Sequence, residues 1–138
     1  MKAAVILLVF SLTLLVSCKK ESTSEPLNEM VKANAVLLFS GNFTGNGSYS
    51  VSGKAEIFKI GNAIQVKLTN FSSSNGPNLE VFISKQAIPA DEIKLGQLKS
   101  TQGNQVYDLN SLPDFDQYKY VSIHCVSFNA LFGSAQFN

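Results

Sequence analysis

The chain has 138 residues, with 11 lysines, no arginine and 10 acidic residues, which is about one domain's worth of polypeptide. Cutting before Cys18 removes Lys2 and no acid, which leaves 10 Lys against 10 acids and argues against a nucleic-acid binder, because phosphate neutralisation needs clustered cations. A single histidine excludes a His-rich metal site, a blue-copper site and a typical zinc hydrolase centre, and two cysteines, Cys18 and Cys125, can form neither a disulfide framework nor a CxxC redox pair.

The N-terminus reads as an export signal. Met1-Lys2 gives a short positive start, and Ala3 to Val16 is an apolar run of 14 residues interrupted by Ser11 and Thr13. That is too short for a stable bilayer span, which needs about 20 residues, and has the length of a signal-peptide core. Leu15-Val16-Ser17-Cys18 resembles a bacterial lipobox, with a small residue just before the cysteine. In that reading residues 1–17 are removed, and Cys18 takes a diacylglycerol and anchors the protein to a lipid bilayer. The alternative is an ordinary cleaved signal with a coincidental cysteine. Lys19 is not the acidic residue associated with inner-membrane retention, so the expected location is the cell envelope with the outer membrane favoured, the domain being periplasmic or surface-exposed. Residues 18–34 are polar, charged and punctuated by Pro26, without the apolar periodicity of a folded element. They are expected to be a flexible linker.

Residues 35–138 read as one all-β domain. Ala55–Ile60 and the alternation of Ile64, Val66 and Leu68 with Gln65, Lys67 and Thr69 predict two strands, and Gly61-Asn62 between them predicts a hairpin turn. Leu79–Ser84, Val106–Leu109, Tyr118–Phe128 and Phe132–Phe137 predict further strands, with glycines spaced at strand-like intervals. Ala87–Glu92 has room for one helical turn at most. About seven or eight strands suggest an antiparallel β-sandwich, with a closed barrel as the alternative.

Several strings then occur in a fixed order. They include Gly41-Asn42-Phe43, Val51-Ser52-Gly53-Lys54-Ala55, the segment Asn75-Gly76-Pro77-Asn78 leading into Leu79–Ser84, and Gly103–Leu109. Val121-Ser122-Ile123-His124-Cys125-Val126-Ser127-Phe128 and Phe132-Gly133-Ser134-Ala135 close the set. Together, over about residues 39–137, this order resembles the electron-transfer DM13 domain, a β-sandwich module of bacterial secreted proteins and lipoproteins that also accompanies DOMON domains in animals. The resemblance implies a redox role for Cys125, either as a bare thiol or as a ligand to a prosthetic group such as haem. It also marks Tyr49 and the Asn75–Asn78 loop as a rim, which makes Tyr49 and Asn78 pocket candidates, while His124 reads as a partly exposed sheet residue with a pocket residue or axial ligand as the alternative. Three positions depart from the family's habit. His124 stands where an aromatic residue, often Trp, precedes the cysteine, Tyr49 where a His is frequent, and Asn78 where Asp usually follows Gly-Pro.

Read as residues alone, Cys125 shares a strand face with Val121 and Ile123, and free cysteine is most often a small buried hydrophobe. A reactive thiol needs access and a nearby cation or helix N-terminus. The nearest cation in sequence, Lys119, lies about 20 Å away along an extended strand. His124 is adjacent in sequence but points to the opposite face, so a Cys–His dyad requires a bulge. Asp108, Asp114 and Asp116 are loop or strand-end acids and, without EF-hand spacing, read as solvated turn residues before a cation site. No GxSxG, Walker or GxGxxG string and no CxxCH occurs.

The expected protein is therefore a monomeric, lipid-anchored envelope domain acting in redox or electron transfer through one cysteine, with an unknown partner. It is expected to be an accessory before a stand-alone enzyme. No metal is assigned and haem is the cofactor considered. The competing class is a non-catalytic binding or adhesion module. A hydrolytic enzyme would need a cleft that holds His124 or a carboxylate pair.

Overall fold

From Val36 on, β-branched and aromatic side chains recur at alternate positions, which suits a pleated surface with one face buried. The computed structural model describes residues 22–138, and among these it has nine strands and no helix. They are β1 (Leu27–Asn28), β2 (Val36–Gly45), β3 (Val51–Ile60), β4 (Ala63–Ser73), β5 (Leu79–Ser84), β6 (Ile93–Gln97), β7 (Gln102–Leu109), β8 (Tyr120–Cys125) and β9 (Ala130–Gln136). The export signal and Cys18 lie outside the described residues.

The strands form one mixed sheet in the order β1-β7-β4-β3-β2-β9-β8-β5-β6. Every neighbouring pair is antiparallel except β1 and β7, which run parallel. The expected antiparallel sandwich of seven or eight strands is thus replaced by a single curled sheet. Strand β2 makes the curl: it pairs with β3 from Val36 to Asn42 and with β9 from Phe43 to Gly45. Its first half belongs to one side of the molecule and its second half to the other. An inward face of alternating apolar residues looks the same in either architecture, so the alternation alone did not separate them.

The core lies inside the curl. Ala55, Ile57, Val66, Leu68, Val81, Ile83, Val121 and Ile123 are fully buried there, with Phe71 and Phe132 as the largest fillers. Strand β5 is buried on both faces. On its outer side Ser84 Oγ donates to the Gln86 carbonyl at 2.6 Å and Ser122 Oγ to the Ala87 carbonyl at 2.9 Å, which draws the following loop across the sheet. That loop contains no helical turn.

The segment expected to be a free linker is, from Ser22 on, a strap laid along β7. Ser22 Oγ donates to the Leu98 carbonyl at 2.6 Å, Thr23 bridges to Ser100, and Leu27-Asn28 pair in parallel with Gly103-Asn104. Gly103 permits this approach. Its φ is +96°, and a Cβ there would sit 2.1 Å from the Leu27 carbonyl oxygen. The strap is held by backbone and side-chain polar groups with few apolar residues, so hydrophobic periodicity carried no trace of it. Glu29 closes its far end by accepting from Lys99 Nζ at 2.8 Å and from the Val106 N–H at 2.7 Å.

Burial alone would raise the Glu29 pKa, but the Lys99 and Val106 hydrogen bonds and the lysine charge outweigh it and hold the carboxyl below its ordinary 4.5. Because the folded value lies below the unfolded one, this stabilisation is complete above the unfolded value and disappears as pH falls through the folded one. The side chain is 38% exposed, so solvent screening keeps the contribution under ~1 kcal/mol. Urea melts of Glu29→Gln against the parent are expected to show that small gap at neutral pH and to show it closing below pH 4.5. A gap unchanged across that range would mean that the carboxylate charge does not hold the strap.

Candidate functional site around Cys125

Two of the sequence strings meet in space. Strand β5 pairs with β8 so that Leu79 lies opposite Cys125, and this carries the preceding Gly76-Pro77-Asn78 turn over the end of β8. The Cys125 thiol donates to the Pro77 carbonyl at 2.9 Å, and the Val126 N–H donates to the Asn78 carbonyl at 3.2 Å. Asn78 holds φ at +52°, a left-handed conformation that asparagine tolerates better than most residues. Its side-chain oxygen accepts from Gln97 Nε2 at 3.4 Å.

Tyr49 joins the same rim by stacking. Its ring lies 3.9 Å from that of Phe132, at 13°. A Cβ at Gly76 would come within 2.7 Å of the Phe132 ring, so a side chain there would push the turn off its seat. Tyr49, Phe132, Gly76, Pro77 and Cys125 therefore form one continuous series of contacts. The structure brings together three of the four sequence candidates, Cys125, Asn78 and Tyr49.

His124 is separate. It lies on the outer face opposite Glu80, with its ring edge-on to Phe82 at 6.3 Å. Its Nε2 is 3.2 Å from Asn129 Oδ1, and with Nε2 as the donor the buried Nδ1 keeps a lone pair without a hydrogen-bond partner among the described residues. The register shift between Ile123 and His124 falls in the β8–β9 pairing and does not turn His124 toward Cys125. A Cys–His dyad is not assembled here.

Cys125 itself is fully buried and packed in the hydrophobic core. A haem ligated by it would need the sulfur lone pair to face a space that a porphyrin can enter. Here the core packs against the side chain and the Pro77 carbonyl occupies the thiol's hydrogen-bonding direction. The residues present do not fit a Cys-ligated haem. The acids do not gather either. Asp108 accepts from Gln65 Nε2 at 2.8 Å, while Asp114 accepts from the Asp116 N–H at 3.0 Å and from Gln117 Nε2 at 2.8 Å within its own turn. Among the described residues no group of three His, Cys, Asp or Glu side chains converges.

Two features escaped the sequence reading. One is the Pro77 carbonyl as the thiol's acceptor, since a backbone atom leaves no mark in residue identity. The other is Gln105, fully buried on β7, whose side chain ties together Lys99, Ser100 and Tyr107. Its only sequence signal was a polar residue just before the Val106–Leu109 run.

A family model described as Electron transfer DM13 matches residues 42–137. Comparison with curated proteins returns no match, and neither does comparison with solved structures.

Proposed function

The chain belongs to the electron-transfer DM13 family, and on that premise we propose that it is a lipid-anchored envelope domain acting in redox transfer through the bare thiol of Cys125. The family supports a redox role. The observation that carries the choice of residue is the closure of the Gly76-Pro77-Asn78 turn over the Cys125 thiol, which joins Pro77 to a residue 48 positions later in the chain.

The step is thiol–disulfide exchange. When the turn opens, the thiol loses its proton to water and the thiolate attacks one sulfur of a partner disulfide. A bond forms between the two sulfurs, the partner's S–S bond breaks, and its second sulfur leaves as a thiolate with the electron pair. Among the described residues Cys125 is the only cysteine, so the mixed disulfide is resolved by a thiol of the partner. In this reading Cys18 carries the acyl anchor, the outer membrane is the favoured site, and the domain works as a monomeric accessory.

Equilibration of the folded protein with glutathione redox buffers tests the reading, with the mixed disulfide at Cys125 read by mass spectrometry and Cys125→Ser as the blank. The expected result is reversible adduct formation without loss of the folded β-sheet signal. Adduct formation only where the protein unfolds would assign Cys125 to the core and leave the binding-module reading. That second reading has its own support in exposed Met30, Val36 and Leu37 at the start of β2 and the strap's end.

A further inference from the structure

We propose that the rim of the sheet carrying the Cys125 cap is the face that meets the lipid bilayer, with the β8–β9 turn seated in the headgroup layer. This rests on the reading that Cys18 is acylated.

The strand register defines the rim. Cys125 lies opposite both Leu79 and Ala130, Gly45 opposite Gly133, Val51 opposite Ser73, and Ser72 opposite Gln102. All these strand ends point the same way. The strap enters at this rim too, because β1 runs parallel to β7 and Thr23 exchanges hydrogen bonds with Lys99 and Thr101. From Ser22 the connection crosses to the Leu98 carbonyl, from the Leu98 N–H to the Leu79 carbonyl, and from Leu79 to its partner Cys125. At about 4.8 Å per strand, the Val126–Asn129 turn is about 15 Å from Ser22.

Three residues lie between Cys18 and Ser22, and the four steps from one to the other span at most about 3.6 Å each, so the acylated end lies within about 14 Å of the rim. A free linker would have let the domain wander, whereas the docked strap does not. The turn on this rim exposes Phe128 at 67% and Val126 at 44%. Aromatic and aliphatic side chains at a turn, beside a lipid anchor, suit the interfacial layer, and Lys19-Lys20 next to the anchor suit anionic headgroups. The opposite rim also exposes Leu112. Strand β7 runs eight residues from Gln102 at the anchored rim to Leu109, so Leu112 beyond it lies about 25 Å away, beyond the reach of the leash when the domain stands on its anchored end. In this orientation a partner meets the Pro77 cap at the membrane surface.

The chain contains no tryptophan, so one substitution creates a single reporter. Phe128→Trp and, separately, Leu112→Trp are made in the full lipidated protein, which is reconstituted in phosphatidylethanolamine–phosphatidylglycerol vesicles with brominated acyl chains. The reporter at 128 is expected to emit at shorter wavelength and to lose most of its emission to the bromines, while that at 112 emits as in water and is not quenched. Equal behaviour of the two, or quenching at 112 alone, overturns the seat in protein that still floats with the vesicles. Failure to float, or flotation unchanged by Cys18→Ser, overturns the acyl anchor and the orientation with it.

Discussion

A thiol reagent is expected to modify Cys125 in the folded protein about 10- to 2000-fold more slowly than in the unfolded chain, yet at a rate nearly flat in low urea. The thiol is fully buried, so labelling requires opening. Opening the cap breaks the hydrogen bond from the thiol to the Pro77 carbonyl and the one from the Val126 N–H to Asn78. It also separates Gly76 from the Phe132–Tyr49 stack. Hydrogen bonds contribute about 0.5–1.5 kcal/mol each and an aromatic contact a similar amount, so the opening costs about 1.5–4.5 kcal/mol, less than global unfolding at about 5–15 kcal/mol. Asn78→Val places a β-branched residue at φ +52°. That strain, roughly 1–2 kcal/mol, is expected to speed labelling about tenfold, whereas Asn78→Gly is expected not to speed it through strain. The measurement is the pseudo-first-order labelling rate across a urea series. A rate with the full urea dependence of unfolding would show that the cap does not open on its own, and a redox role for the thiol would then fail.

The largest loss of stability is expected from Gln105→Leu, about 3 kcal/mol, or a fall in melting temperature of roughly 10–15 °C for a domain of this size. Gln105 Oε1 accepts from the Lys99 N–H at 3.1 Å, the Ser100 N–H at 3.2 Å and the Tyr107 hydroxyl at 2.8 Å, while Nε2 donates to the Ser100 carbonyl at 2.8 Å. Burial pushes the Tyr107 pKa well above its ordinary 10.0, so the phenol stays a neutral donor. Leucine nearly matches glutamine in volume, so the loss arises from stranded polar groups and not from a cavity. The Lys99 N–H still reaches the Tyr107 oxygen at 3.1 Å, but Ser100 loses both of its partners from the Gln105 side chain. Ser100 also donates its hydroxyl to the Glu25 carbonyl, so the strap is expected to loosen with it. Calorimetry of the variant reads the first effect and amide exchange along Leu27-Asn28 the second. A loss below ~1 kcal/mol would mean that water reaches the site and replaces the side chain.

Alternation predicted two strands closely, one partly exposed and one buried on both faces. Ala63–Ser73 extends the predicted Ile64–Leu68 run, and Leu79–Ser84 has the expected limits. Strands β2 and β6 were not assigned from the sequence. β6 is short and interrupted by Gly96, and β2 changes partners midway, so neither shows one steady inward face. Strand β8 ends at Cys125, earlier than the apolar run through Phe128 suggested, because residues 126–129 turn back into β9. At the site, the opposite orientations of Cys125 and His124 followed from the two-residue period. The Pro77 cap did not, since it depends on how β5 and β8 register 46 residues apart, Leu79 against Cys125.

The sequence by itself determined that the domain is all-β, that it belongs with the electron-transfer DM13 proteins, and that Cys125 and His124 face opposite ways. These are properties of local periodicity and of residue order along the chain. Only the tertiary structure decided that the sheet is single, curled and mixed, that the segment from Ser22 on is a strap on β7, and that Pro77 seals the thiol. Each of those depends on backbone hydrogen bonds between distant segments, and a backbone N–H or carbonyl is the same whatever side chain it carries.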